Sequence, residues 1–103
     1  MATTNLSHYD KTTIPNAKDF RFGIVVSEWN HEITDNLLKG ALEVLKEAGI
    51  EDRNLQLIHV PGTYELTTGA AFLLEYYQME GVIAIGSVIR GETAHFDFVC
   101  QSV

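Results

Sequence analysis

The residues best placed to do chemistry lie in Gly81–Val103, GVIAIGSVIRGETAHFDFVCQSV. A glycine-bounded apolar run leads through Gly91, Glu92 and Thr93 to His95, where an aromatic-rich helix is predicted to begin. The first amides of a helix have no carbonyl partner within it and point outward at the positive end of its dipole, so an anion can sit there. At about 3.6 residues per turn, His95 falls within one turn of that position. An imidazole titrates near neutral pH and, beside a phosphate, can carry protons between reacting groups. Read alone, a histidine is more often structural than catalytic. Gly86 and Gly91 have the separation of the two P-loop glycines, but Glu92 stands where a P-loop needs the lysine that meets the β- and γ-phosphates. That argues against a nucleotide triphosphatase. What survives is a turn in which Gly91 permits close approach while Glu92 and Thr93 offer amides and a hydroxyl to a single phosphate. The spacing fits a plain structural turn as well.

Two further loops carry candidate ligand groups. Ser27–Asn30, SEWN, holds the one tryptophan of the chain. An indole can stack on a flat heterocycle and Asn30 can hydrogen-bond its edge, although Trp29 capping the core is an equal reading. Val60–Glu65, VPGTYE, offers exposed amides and a carboxylate, and composition alone favours an ordinary turn with an acid in the first turn of a helix. His8, His31 and His59 share no metal-ligand spacing with His95 or Cys100, so no metal is expected. Cys100 sits among apolar residues with no base beside it and reads as buried filler.

Three strands position these loops. Phe20–Val26, FRFGIVV, ends in an unbroken apolar triplet, as a buried parallel strand does. From Glu32 to Ala48 the apolar residues Ile33, Leu37, Ala41, Val44 and Ala48, joined by Leu38 and Leu45, mark one face of a helix. Asn30 is its expected N-cap, and Gly49 suits the left-handed position after its end. Asn54–Val60 is a second strand, stopped by Pro61 and Gly62. A helix over Tyr64–Gln78 follows, with Leu66, Ala70, Leu73, Leu74 and Tyr77 on one side, and Gly81–Gly86 is the third strand. This alternation means βαβ units and a parallel sheet, whose ligands bind at the carboxyl ends of the strands.

Composition narrows the function. With 103 residues and one continuous apolar pattern, the chain is a single domain. A formal charge of −7 argues against nucleic acid and anionic membranes as partners, and leaves any phosphate to be attracted locally. One cysteine cannot form an internal disulfide, which fits a reducing cytoplasm. Met1–Asp19 is polar, lacks the apolar region of a signal peptide, and reads as a flexible arm outside the domain formed by residues 20–103.

Taken together, these segments resemble one family, 6,7-dimethyl-8-ribityllumazine synthase of riboflavin biosynthesis. The matching runs are FGIVVSEWN with the helix after it, VPGTYEL, and GSVIRGETAHFDFV, in the same order and similarly spaced, covering nearly all of Phe20–Val103. The resemblance implies a transferase that condenses 5-amino-6-(D-ribitylamino)uracil with 3,4-dihydroxy-2-butanone 4-phosphate, losing phosphate and water, with no cofactor. By position it implies that Trp29 stacks on the pyrimidine with Asn30 beside it, and that Thr63, Tyr64 and Glu65 bind the ribityl chain and ring. Ser87, Val88 and Ile89 would meet the pyrimidine edge, Glu92 and Thr93 would form the phosphate turn, and His95 would transfer protons. Its partners would be these small molecules and copies of itself, in a homopentamer or an icosahedral shell, within the cytoplasm.

The implied fold is a three-layer αβα sandwich on a parallel sheet in flavodoxin-like order, here truncated after the third strand and the start of the following helix. Members of the family continue past the position of Val103 with a fourth strand and helices that bring an arginine, a lysine and an aromatic wall to the site. Without them the third strand is an open edge that invites aggregation. One alternative is a catalytically inactive structural fragment of such an enzyme. Another is a flavodoxin-like flavin-binding module, which expects a glycine in the loop after strand one, where Ser27–Thr34 has none. A phospho-receiver domain fits the alternation but lacks an acidic pair at that point.

Overall fold

The computed structural model describes His8 and residues 10–103. Strand β1 (Phe22–Ser27) leads to helix α1 (His31–Glu47), β2 (Leu55–Val60), α2 (Leu66–Glu75), β3 (Gly81–Ile85) and α3 (His95–Ser102). The sheet order is β2-β1-β3, all parallel, with Phe22 opposite Leu55 on one side and Gly81 on the other. The first crossover moves one way along the sheet and the second moves back across it. Because crossovers share one hand, α1 and α2 land on opposite faces.

That topology explains why β1 is apolar from Phe22 to Val26: it is the middle strand of the middle layer. Ile24 and Val26 pack toward Leu45, Ile50 and Ile85 on the α1 side, while Val25 packs toward Leu66, Leu73 and Met79 on the α2 side. All three β1 residues are 0% exposed. The fold is therefore the expected αβα sandwich, and β2 and β3 form the two edges of the described sheet.

Helix α1 ends as its sequence suggests. Gly49 takes φ 94°; its amide donates to Lys46 O and that of Ile50 to Leu45 O, a Schellman closure whose apolar pair, Ile50 and Leu45, enters the core. Its start differs. Asn30 occupies the N-cap in a left-handed conformation (φ 60°) without a side-chain cap bond, so its amide group is free for another use. The helix is also rotated from its expected orientation. Leu38, Ala41, Leu45 and Ala48 face the sheet with fully buried Thr34, while Ile33, Leu37 and Val44 lie exposed. Two apolar rows run side by side on this helix, and periodicity alone does not say which one the sheet takes.

Helix α2 is shorter than expected. A 3₁₀ turn occupies Thr63–Glu65 before it, and the chain leaves the helix after Glu75, with Gln78 at φ 55° and the Met79 amide closing onto Leu73 O. A left-handed glutamine carries no local signal of the kind a glycine would.

The segment expected to be an arm is tied down at its near end. Ala17 is buried in the α1-side core and its amide donates to Ala48 O at 2.7 Å. Asp10 caps a short 3₁₀ turn at Lys11–Thr13, and Lys11 pairs with Glu47 at 3.4 Å. A hydrophobic period cannot be read from one buried alanine. Residues 1–7 and Tyr9 lie outside the described residues.

Candidate active site

In an open parallel sheet the crevice forms where successive connections leave in opposite directions, here between the carboxyl ends of β1 and β3. A cleft of about 490 Å³ lies there, within the usual size of a small-molecule site. Each strand end sends one loop to it.

From β1 comes Trp29. Its main chain is stitched to the β2 loop, with Glu28 N donating to Val60 O at 2.8 Å and Trp29 N to Pro61 O at 3.1 Å. A pinned backbone thus carries an indole that is 69% exposed, on the cleft rather than in the core. A shallower groove with Glu28, His31 and Ile33 flanks the same ring. From β2 come Thr63, Tyr64 and Glu65 in the 3₁₀ turn, the phenol ring well exposed. From β3 come Ser87, Val88 and Ile89, which continue past the strand without regular structure. His95, the first residue of α3, completes the wall with Val99 one turn further on.

Three sequence-derived candidates stand outside that lining. Asn30 lies behind it and donates from Nδ2 to Ser87 O at 3.4 Å. Glu92 and Thr93 are exposed in the turn before α3. The Thr93 hydroxyl oxygen accepts the amide N–H of His95 at 3.3 Å, so it serves as a local cap. Cys100, expected to be buried, is exposed, because α3 buries none of its residues in the described fold. Among the described residues no group of His, Cys, Asp or Glu comes together as a metal site, and no described helix is long and apolar enough to cross a membrane.

Two features were not anticipated. Val99 lines the cleft because it is four residues from His95 on a helix, a spacing visible once the helix start is fixed. Arg90 places its guanidinium 4.5 Å from the centre of the Phe96 ring and 3.6 Å from the Asp97 carboxylate, the two residues directly after His95. The cation–π contact is worth about 0.5–1 kcal/mol and the exposed ion pair no more than that. Together they fasten a turn that has few other contacts. Arg90→Ala is expected to speed amide exchange at Gly91–His95 about fivefold, with Arg90→Lys in between. Hydrogen exchange followed by NMR measures it, and wild-type exchange in the alanine variant would show that the clamp holds nothing.

A model of the 6,7-dimethyl-8-ribityllumazine synthase family matches residues 19–103. The chain belongs to that family. Curated lumazine synthases are close to it: that of Porphyromonas gingivalis is 52% identical over 105 residues, covering 100% of this chain and 65% of its own. The Christiangramia forsetii protein is 54% identical over 106 residues and the Flavobacterium johnsoniae protein 55% over 105, each covering 100% of this chain but 63% and 55% of their own lengths. The chain therefore spans between about half and two thirds of the lumazine synthases it matches. The lumazine synthase family accounts for the α/β architecture, with the flavodoxin-like strand order seen here. It leaves the flavin-binding and phospho-receiver readings without support.

Proposed function

We propose that this chain forms the pyrimidine half of a lumazine synthase active site, joining 5-amino-6-(D-ribitylamino)uracil to 3,4-dihydroxy-2-butanone 4-phosphate. The observation that carries the reading is the convergence of an exposed indole, a hydroxyl- and carboxylate-bearing turn, a free strand extension and an imidazole on one cleft. The indole holds the pyrimidine flat. The Thr63–Glu65 turn takes the polyol and ring through its backbone and the Glu65 carboxylate, Ser87–Ile89 meets the heterocycle's edge, and the turn with Glu92 and Thr93 receives the phosphate. Imine formation, phosphate elimination and ring closure each need a proton moved, and His95 is the cleft residue suited to move it. No cofactor enters that sequence. Purified protein given both substrates is expected to form the lumazine chromophore, followed by its absorbance and fluorescence. A protein that binds the pyrimidine but never forms the product is instead the inactive piece.

One observation favours that second reading for this stretch of chain alone. No lysine or arginine lines the cleft among the described residues, so the phosphate's charge is unmatched there. The active form we propose is a cytoplasmic homo-oligomer, a pentamer or an icosahedral shell, in which a neighbouring copy supplies that charge.

Trp29→Ala is expected to weaken binding of the ribitylaminouracil roughly five- to 150-fold, since aromatic stacking on a base is worth about 1–3 kcal/mol. Trp29→Phe should recover most of it. Titration of the pyrimidine by calorimetry decides, and equal affinity in the alanine variant would remove the indole from the site.

A further inference from the structure

The Ser87 carbonyl oxygen, two residues past the end of β3, is gripped from two sides. The Thr63 hydroxyl donates to it at 2.9 Å and Asn30 Nδ2 at 3.4 Å, from the loops after β2 and β1 respectively. Both lone pairs of that carbonyl are thereby engaged. The glycine at 86 leaves this arrangement uncrowded: a Cβ there would stand 3.0 Å from Thr63 Oγ1, 3.2 Å from Thr63 Cγ2 and 2.6 Å from Leu66 Cδ1. The first two distances are tight, and the third would make the Leu66 methyl shift. The glycine opens the space through which Thr63 reaches the next residue's carbonyl.

We infer that Thr63 is a positioning residue, acting through the Ser87 carbonyl rather than by spending its hydroxyl on a ligand, with Gly86 as the gap that lets it do so. A peptide unit is planar, and the Ser87–Val88 bond is trans, so anchoring the Ser87 carbonyl also fixes the direction of the Val88 N–H. That N–H belongs to the segment placed against the pyrimidine's edge under the proposed function, on which this inference rests for its consequence in catalysis. Without the anchor the segment's amide can turn, and edge recognition is lost while proton transfer at His95 is not.

The test compares Thr63→Val, which keeps the shape and removes the donor, with Thr63→Ser, which keeps the donor. Hydrogen exchange of the peptide covering Gly86–Ile89 is read first because it needs no turnover. Thr63→Val should raise exchange there about tenfold, and Thr63→Ser should restore wild-type protection. In the active enzyme, Thr63→Val should raise the KM for the ribitylaminouracil about tenfold and leave the KM for the butanone phosphate and kcat nearly unchanged, again with rescue by serine. If valine at this position prevents folding, Thr63→Ala, which cannot crowd Gly86, reads the same quantities. Wild-type exchange in the donor-less variants, or a serine variant as impaired as valine, overturns the inference. Altered exchange rescued by serine in a protein that forms no lumazine supports the anchor and overturns the synthase reading instead.

Discussion

His95→Ala lowers kcat for lumazine formation by about 100-fold, with both KM values within a few fold of wild type, if the imidazole carries the protons of the condensation. Acid–base groups of this kind contribute about 10²–10⁴, and the lower end fits an exposed side chain whose role solvent can partly take over. The variant is a clean probe. His95 stands at the exposed start of α3, its amide is held by Thr93 rather than by its own ring, and surface changes of this sort alter stability by only about 0.5 kcal/mol. Steady-state kinetics with each substrate varied in turn supply the measurement. A variant with full kcat assigns His95 a spatial role only and sends the search for the proton carrier to Glu65 and Tyr64, the other titratable groups on the cleft.

The largest effect on stability is expected at Leu73. Its side chain is fully buried and lies directly over Gly23 of the central strand, where a Cβ would come within 2.9 Å of Leu73 Cδ1. Leu73→Ala removes the group that fills this space, and the residue beneath it has no side chain to relax into the hole. Leucine-to-alanine changes in cores cost about 2–5 kcal/mol, more where the surroundings cannot collapse, so about 4 kcal/mol is expected here. Against a typical domain stability of about 5–15 kcal/mol, that approaches unfolding. Urea denaturation should show a lowered midpoint with an unchanged slope. A shift worth less than about 1 kcal/mol would mean that α2 moves in to close the space.

The parts of the fold legible in the sequence are those set by repeating local pattern. Apolar runs bounded by glycine and proline place the three strands to within two residues, and their alternation with helical periods implies a parallel sheet before any contact is known. Gathering Trp29, Thr63–Glu65, Ser87–Ile89 and His95 follows from that sheet, because all four follow strand ends that point the same way. What stayed hidden depends on where a single side chain turns. Nothing local distinguishes the Leu38–Leu45 row of α1 from the Leu37–Val44 row, since both are apolar and the choice is made by the sheet. The left-handed Gln78, the burial of Ala17 and the exposure of Cys100 are likewise settled by partners distant in the chain. The same holds for Asn30, whose type suits a cap but whose amide crosses to β3's extension instead.

The central place of β1 has a consequence in time. Among the described strands it is made first, yet both of its neighbours are made later, and Gly81, which lies opposite Phe22, is the more remote. At about 5–20 residues per second of synthesis, the most apolar stretch of the chain waits several seconds for its second partner. Once β2 has paired, FGIVV still keeps one open edge, while α1 and then α2, both made before β3, come to cover its two faces. Newly made chains therefore keep that edge open to chaperones, and to one another, until β3 arrives.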